Sequence, residues 1–360
     1  MHIPIAQPSL GREENDAVLA VLASGMIAQG PVTAAFEDEF AAYCGVPHAV
    51  AVTNGTAALH AALLAAGVGP GDEVIVPAFT FFATASSVSM CGARPVFADV
   101  EPATATLDPP DVLAKVTPET KAVIGVHLYG QPCDAGAIRE ICDEKGLVFI
   151  EDAAQAHGAT YRGKRAGALG DLACFSFYAT KNLAAGEGGM VTTASDEYDA
   201  HLRRIINHGQ SEKYLHAELG YNYRMTDIAA AIGRVQLAKL GGFNRRRQEN
   251  AAYYGTHITA PGLVLPSVAP GRTHVWHQYS LRLTDAFPLS REEFMEYLRE
   301  RGIGCAVHYP VALSRQPYYA GAAVCPVAES LAASALSIPV HPNVTDSGRA
   351  YVCETINGVI

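Results

Sequence analysis

The segment LVFIEDAAQAHGA, residues 147–159, decides the fold. Four consecutive apolar residues, Leu147 to Ile150, run directly into two carboxylates, Glu151 and Asp152, and then into a stretch of small residues. So short and unbroken an apolar run reads as a strand covered on both faces, as in a mainly parallel sheet between helices. The acids that close it fall where open α/β sheets bind ligands, beyond the carboxyl ends of the strands.

Working outward, similar runs recur as HAVAV (48–52), DEVIVP (72–77), RPVFADV (94–100), KAVIGVHLYG (121–130), LACFSFY (172–178) and GGMVTT (188–193), separated by helix-like segments. This alternation predicts an α/β domain with a seven-stranded sheet. GGMVTT follows LACFSFY too closely for a parallel crossover, so it is expected as an antiparallel neighbour and the sheet as mixed, mainly parallel. DIAAAIGRVQLAKL (227–240) has helical periodicity and starts a long connecting helix. Beyond about Asn244, WHQYSLRL (276–283), REEFMEYLRERGI (291–303) and GCAVHYP (304–310) predict the strand, helix and strand of a smaller α+β domain. APGLVLPSVAPGRTH (260–274) is expected as a surface connection. The expected division is a large α/β domain with an N-terminal helical segment at 1–243, and a small C-terminal domain at 244–360.

Of the 360 residues 49% are hydrophobic, enough to bury a large core. The net charge of -10 and the absence of any basic run beyond NRRRQ (244–248) argue against a nucleic-acid partner. No apolar run reaches the roughly 18 residues of a membrane span, and no basic stretch leads into an apolar one near the N-terminus. A soluble, cytoplasmic protein without a membrane partner is expected. The eight cysteines are scattered without C-x-x-C spacing and read as buried free thiols. No metal site is expected, because the thirteen histidines form no tight ligand cluster.

Three strand ends carry candidate chemistry. In VAVTNGTAALHAALLAAG (50–67), a turn at Thr53 to Thr56 opens an Ala/Leu helix expected from about Ala57. Its N-terminus suits a phosphate, or is an ordinary N-cap by Asn54 or Thr56. At the end of 147–152, a carboxylate can contact a ribose, ligate a metal, pair with a protonated ring nitrogen, or simply cap the next turn. In CFSFYATKNLAAGEGGMVTT (174–193), Lys181 follows an apolar strand and precedes glycines that allow close backbone approach. Drawn out of water, its amine can form an imine with an aldehyde; alternatively its head reaches solvent along an apolar surface. Ser176 ends the same strand. Phosphate cradle, strand-end acid and enclosed lysine together match the needs of pyridoxal 5'-phosphate (PLP). PAFTFFATASS (77–87) offers Phe81 or Phe82 as a flat neighbour for the ring, though either could be plain core.

With these residues in hand, the chain resembles the DegT/StrS group of fold-type I PLP enzymes that aminate nucleotide-linked keto sugars. The resemblance runs through SGMIAQGPVTAAFEDEFAAYCGV, TNGTAALHAAL, VIVPAFTFFATA, VFIEDAAQAHGA, FSFYATKNLAAGEGGMV, GYNYRMTDIAAAIGRVQL, VWHQYSLRL, GIGCAVHYP and LSIPVHP, in that order over nearly the whole chain. It implies that Lys181 carries PLP through an imine, that Asp152 pairs with the pyridine nitrogen, and that both are catalytic. It implies further that Gln155 meets the cofactor's phenolic oxygen and Phe81 stacks on the ring. Gly55, Thr56 and Ser176 would hold the phosphate, joined by Asn222 from the second subunit of a homodimer. Arg224, His308, Tyr309 and Tyr178 match positions that face the substrate sugar or its diphosphate. Relatives that remove a hydroxyl carry histidine in place of Lys181, so the lysine implies transamination. The implied reaction moves an amino group from L-glutamate to a keto sugar of a nucleotide-diphosphate sugar, with pyridoxamine 5'-phosphate as the alternate cofactor form. A free ketone such as a cyclitol, or a non-catalytic regulator that binds sugar nucleotides, is the alternative.

Overall fold

A computed structural model describes residues 1–359. All seven expected strands form one sheet, in the spatial order His48–Val52, Gly189–Thr193, Leu172–Ser176, Val148–Asp152, Thr120–Val126, Glu73–Pro77, Arg94–Ala98. Every neighbouring pair is parallel except those made by Gly189–Thr193, which runs antiparallel to both strands beside it. The mixed, mainly parallel α/β sheet expected from the sequence is therefore the one observed. Its central strands are apolar because both faces are covered: all of Leu172–Ser176, Gly189–Thr193 and Glu73–Pro77 is buried.

One helix begins earlier than expected. Gly55–Ala65 starts two residues before Ala57, because Asn54 Oδ1 accepts the Ala57 N–H at 2.9 Å and caps the helix at that point. The long helix is Asp227–His257, and residue 244 lies inside it. Its first residue also serves another helix. The buried Asp227 carboxylate accepts the N–H groups of Gly30 (2.8 Å) and Thr33 (2.9 Å) and the Thr33 hydroxyl (2.6 Å), closing the N-terminus of Pro31–Cys44.

Beyond the long helix, a three-stranded antiparallel sheet is built from Leu263–Val264, Tyr279–Leu283 and Ala335–Ile338, with Arg291–Glu300 and Asp346–Asn357 as its helices. It has its own apolar cluster, including Tyr279, Leu281, Phe294, Leu336 and Val352, and Ile3 from the N-terminus joins it. Two expectations need correction. GCAVHYP is not a strand: Ala306 makes a single bridge to Ser337, after which the chain turns away so that His308 and Tyr309 line a cavity. The second long strand is Ala335–Ile338, which follows a helix without a break. The 260–274 connection does run over the surface for most of its length, though it also donates the edge strand Leu263–Val264. All eight cysteines are free and buried. Among the described residues no helix is long and apolar enough to cross a membrane.

Candidate active site

The carboxyl ends of the strands open into a cavity of about 640 Å³. It gathers Gly55, Thr56, Phe81, Asp152, Gln155, Ser176, Tyr178, Lys181, His308 and Tyr309 from separate parts of the chain.

Glu151 and Asp152 end one strand and point to opposite faces, as successive strand residues must. Asp152 faces the cavity. One of its oxygens accepts the Thr84 hydroxyl at 2.8 Å and the other the Ala154 N–H at 3.2 Å. Burial raises its pKa, against the pull of those two donors and of the Lys181 charge. Glu151 lies on the far face, completely buried, accepting from His127 and from the N–H groups of Gly167 (2.9 Å), Leu169 (2.7 Å) and Gly170 (2.8 Å). The sequence offered two acids at this strand end; only Asp152 reaches the cavity.

Lys181 sits in the loop between Leu172–Ser176 and Gly189–Thr193, its N–H bonded to the Tyr178 carbonyl at 2.8 Å. The next residue fixes the loop: Asn182 Nδ2 donates to Asn244 Oδ1 (3.0 Å) and to the Val275 carbonyl (2.9 Å). Burial lowers the Lys181 amine to about 8, with the Asp152 charge pulling the other way. His277 and His308 share the cavity, and burial pushes both imidazoles below their usual range, so the amine has uncharged rings for neighbours.

At the opposite wall, Gly55 opens its helix against Ser176. A Cβ on Gly55 would come 2.7 Å from the Ser176 Cβ, so only glycine leaves this cradle open. Of the helix's first-turn N–H groups, Ala57's is taken by Asn54, which leaves those of Gly55 and Thr56 available to an anion. Gln155 is held in one orientation: its oxygen accepts the Tyr129 N–H at 2.7 Å, and its nitrogen donates to the Tyr309 hydroxyl at 3.1 Å. Phe81 stands 56% exposed at the mouth, 5.8 Å from the Tyr309 ring, and Tyr178 is 48% exposed there. Phe82 instead packs on Tyr319, so that of the two phenylalanines Phe81 is the one that lines the cavity.

Asn222 and Arg224 do not line this cavity. The Thr53 N–H bonds the Tyr223 carbonyl at 2.8 Å, and the rings of Tyr221 and Tyr223 pack on His60. Along this extended segment alternate side chains face apart. Asn222 is exposed, and Arg224 donates to Asn207 Oδ1 at 2.6 Å. Sequence reasoning also missed residues that the fold brings in: Thr84, His277, Glu187 and Tyr223. His277 and Tyr223 lay in quoted motifs, VWHQYSLRL and GYNYRMTDIAAAIGRVQL, and the density of polar residues there was the available signal.

A mainly parallel sheet with one reversed strand, holding an amine-bearing loop beyond its carboxyl ends, is the architecture of the PLP-dependent transferases of fold type I. The groups suit that cofactor: the Gly55–Ser176 cradle has room that any side chain would fill, and Asp152 and the half-buried Lys181 amine face one space. Within that class, the chain belongs to the DegT/DnrJ/EryC1/StrS aminotransferase family, whose model matches residues 8–357. It is 45% identical over 340 residues to a dTDP-3-amino-3,4,6-trideoxy-alpha-D-glucose transaminase of Streptomyces venezuelae, covering 92% of this chain and 88% of that one. A GDP-perosamine synthase of Caulobacter vibrioides is 40% identical, covering 99% and 98%. A protein of Geobacillus stearothermophilus named a pleiotropic regulatory protein is 45% identical, covering 93% and 91%. The crystal structure of S. venezuelae DesV in complex with a ketimine intermediate superposes with a TM-score of 0.92 at 43% identity, covering 96% of this chain and 94% of that one.

Proposed function

We propose that this protein is a PLP-dependent aminotransferase that moves an amino group from L-glutamate to the keto sugar of a nucleotide-diphosphate sugar. The observation that carries the reading is the shared cavity of Lys181 and Asp152, an amine brought near neutrality beside a buried carboxylate, with the exposed Glu187 as the other acid of the lining. Bound PLP supplies an electrophilic carbon and an electron-accepting ring. In this reading Lys181 Nζ holds the cofactor, then takes up and returns the proton in each half of the cycle. An amine near 8 serves both as base and as acid at physiological pH, which an exposed lysine cannot. Asp152 places negative charge beside the ring nitrogen. Gly55, Thr56 and Ser176 hold the phosphate, Gln155 orients the phenolic oxygen, and Phe81 covers the ring. His308, Tyr309 and Tyr178 meet the sugar or its diphosphate.

Asn222 is exposed and faces away from its own chain's cavity, which supports a homodimer in which it serves the partner's site. We further read the chain as cytoplasmic and as two domains, 1–243 and 244–360, joined through the continuous Asp227–His257 helix.

The test is a panel of 3-keto and 4-keto sugar nucleotides incubated with L-glutamate, reading 2-oxoglutarate and amino sugar together. Turnover of one member is expected. A protein that loads PLP yet aminates none, while binding a sugar nucleotide, would instead be a regulator, as the Geobacillus relative's name suggests for that protein. Equal indifference to UDP, GDP and dTDP would favour a cyclitol or another free ketone.

A further inference from the structure

We propose that Thr84, backed by Thr80, is a positioning residue that keeps Asp152 ionised and aimed into the cavity. Both threonines come from 77–87, a stretch whose sequence drew attention only to its phenylalanines. Thr84 is completely buried near the start of Ala83–Met90, and Thr80 is nearly so, forming part of the cavity wall. Thr84 Oγ1 lies 2.8 Å from Asp152 Oδ2, and Thr80 Oγ1 lies 3.2 Å from Thr84 Oγ1.

Proton bookkeeping gives this chain a direction. A carboxylate can only accept, so Thr84 spends its one proton on Asp152. Its oxygen is then left to accept the proton of Thr80. The relay runs from Thr80 to Thr84 to Asp152, and it fits the ionised acid; a protonated Asp152 would compete with Thr84 as donor.

The other groups facing this carboxylate do not replace the relay. Lys181 favours the charged form only while its own amine is charged. His127, at the end of the neighbouring strand, directs Nε2 to Glu151 on the far face; burial lowers its pKa, but Cys133 and Glu151 outweigh that and raise it to about 10, so its charge is paired with Glu151 and is the weakest of the four influences that lower the Asp152 pKa. Cys174 on the other neighbouring strand and Tyr309 across the cavity are both held neutral, their pKa values raised by burial and by Asp152 itself. Once Lys181 is uncharged, the two hydroxyls and the Ala154 N–H remain as the donors that sustain the charge.

The link to catalysis rests on the aminotransferase reading, so the test uses the full-length chain without cofactor and can fail separately from it. Aspartate labelled with carbon-13 at its carboxyl is titrated by NMR, with Asp152→Asn identifying the signal. Thr84→Val is expected to raise the Asp152 midpoint by about one to two pH units, the scale of one hydrogen bond to a charged group. Thr84→Ser is expected to restore it, and Thr80→Val to raise it by less. An unchanged midpoint in folded Thr84→Val, or no restoration by serine, overturns the proposal. If the valine variant does not fold, an unchanged midpoint in Thr80→Val overturns it.

Discussion

His127 Nε2 lies 2.8 Å from a Glu151 oxygen, and neither side chain touches solvent. With three backbone N–H groups converging on the same carboxylate, Glu151 ties the ends of two strands to the 167–170 turn. Glu151→Ala strands all four donors in the interior. A loss of roughly 3–5 kcal/mol is expected. Urea denaturation of the cofactor-free protein measures it; a loss below about 1 kcal/mol would mean that water takes over the carboxylate's role.

Gly55→Ala should separate cofactor affinity from folding. The added Cβ meets the Ser176 Cβ at 2.7 Å, and a Cβ fixed directly to a central strand cannot yield as the tip of a flexible side chain can. Overpacking of roughly 1–3 kcal/mol is expected at the cradle, weakening PLP by about tenfold or more. Titration of PLP absorbance checks this, with circular dichroism showing an intact fold. Unchanged affinity would place the phosphate elsewhere.

The pH dependence of stability follows from Lys181. Burial holds its amine at about 8 in the folded chain, below the ordinary 10.5. Between those values the unfolded chain carries the proton and the folded one does not, so this group makes stability rise with pH. Below about 8 the folded chain must keep a charge that its surroundings disfavour. Cofactor-free Lys181→Met is therefore expected to be more stable than the parent at pH 7, with the advantage shrinking as pH climbs toward 10.5. Melting temperatures across that range test it; an advantage independent of pH would contradict the assignment.

Subunit complementation tests the assignment of Asn222 to the partner. Lys181→Ala is expected to be inactive and Asn222→Ala to bind PLP weakly. In the proposed homodimer, co-expression of the two variants is expected to give mixed dimers in which one site keeps both residues, and part of the wild-type activity should return. No recovery, with mixed dimers present, would assign Asn222 to its own chain or to no site.

The sheet was legible because its strands are buried on both faces. Leu147 to Ile150 and the other apolar runs have no reading but strand at that length, and the short link into GGMVTT left one orientation open. Ala335–Ile338 was missed because it continues directly from Pro326–Ser334 in the same small apolar residues, with no turn residue to mark the change. GCAVHYP was misread for the converse reason: its alternation looks like a strand, but tertiary placement sends His308 and Tyr309 to the cavity. Among candidate site residues, Asp152 and Ser176 announced themselves as polar groups at strand ends, and Lys181 as a lysine enclosed between an apolar strand and glycines. Thr84 did not, since a hydroxyl inside ATASS resembles its neighbours until the fold sets it against Asp152.

The one reversed strand has a consequence for how such a chain can diversify. Ser176 is paired with Gly189, so the segment bearing the amine leaves the sheet and returns at adjacent rungs. Lengthening it would shift the Lys181 amine relative to Ser176, which the sheet holds in place. Variation in what the cavity accepts is thereby channelled to its rim, around Met90 and the turn carrying His308, which lie outside the sheet.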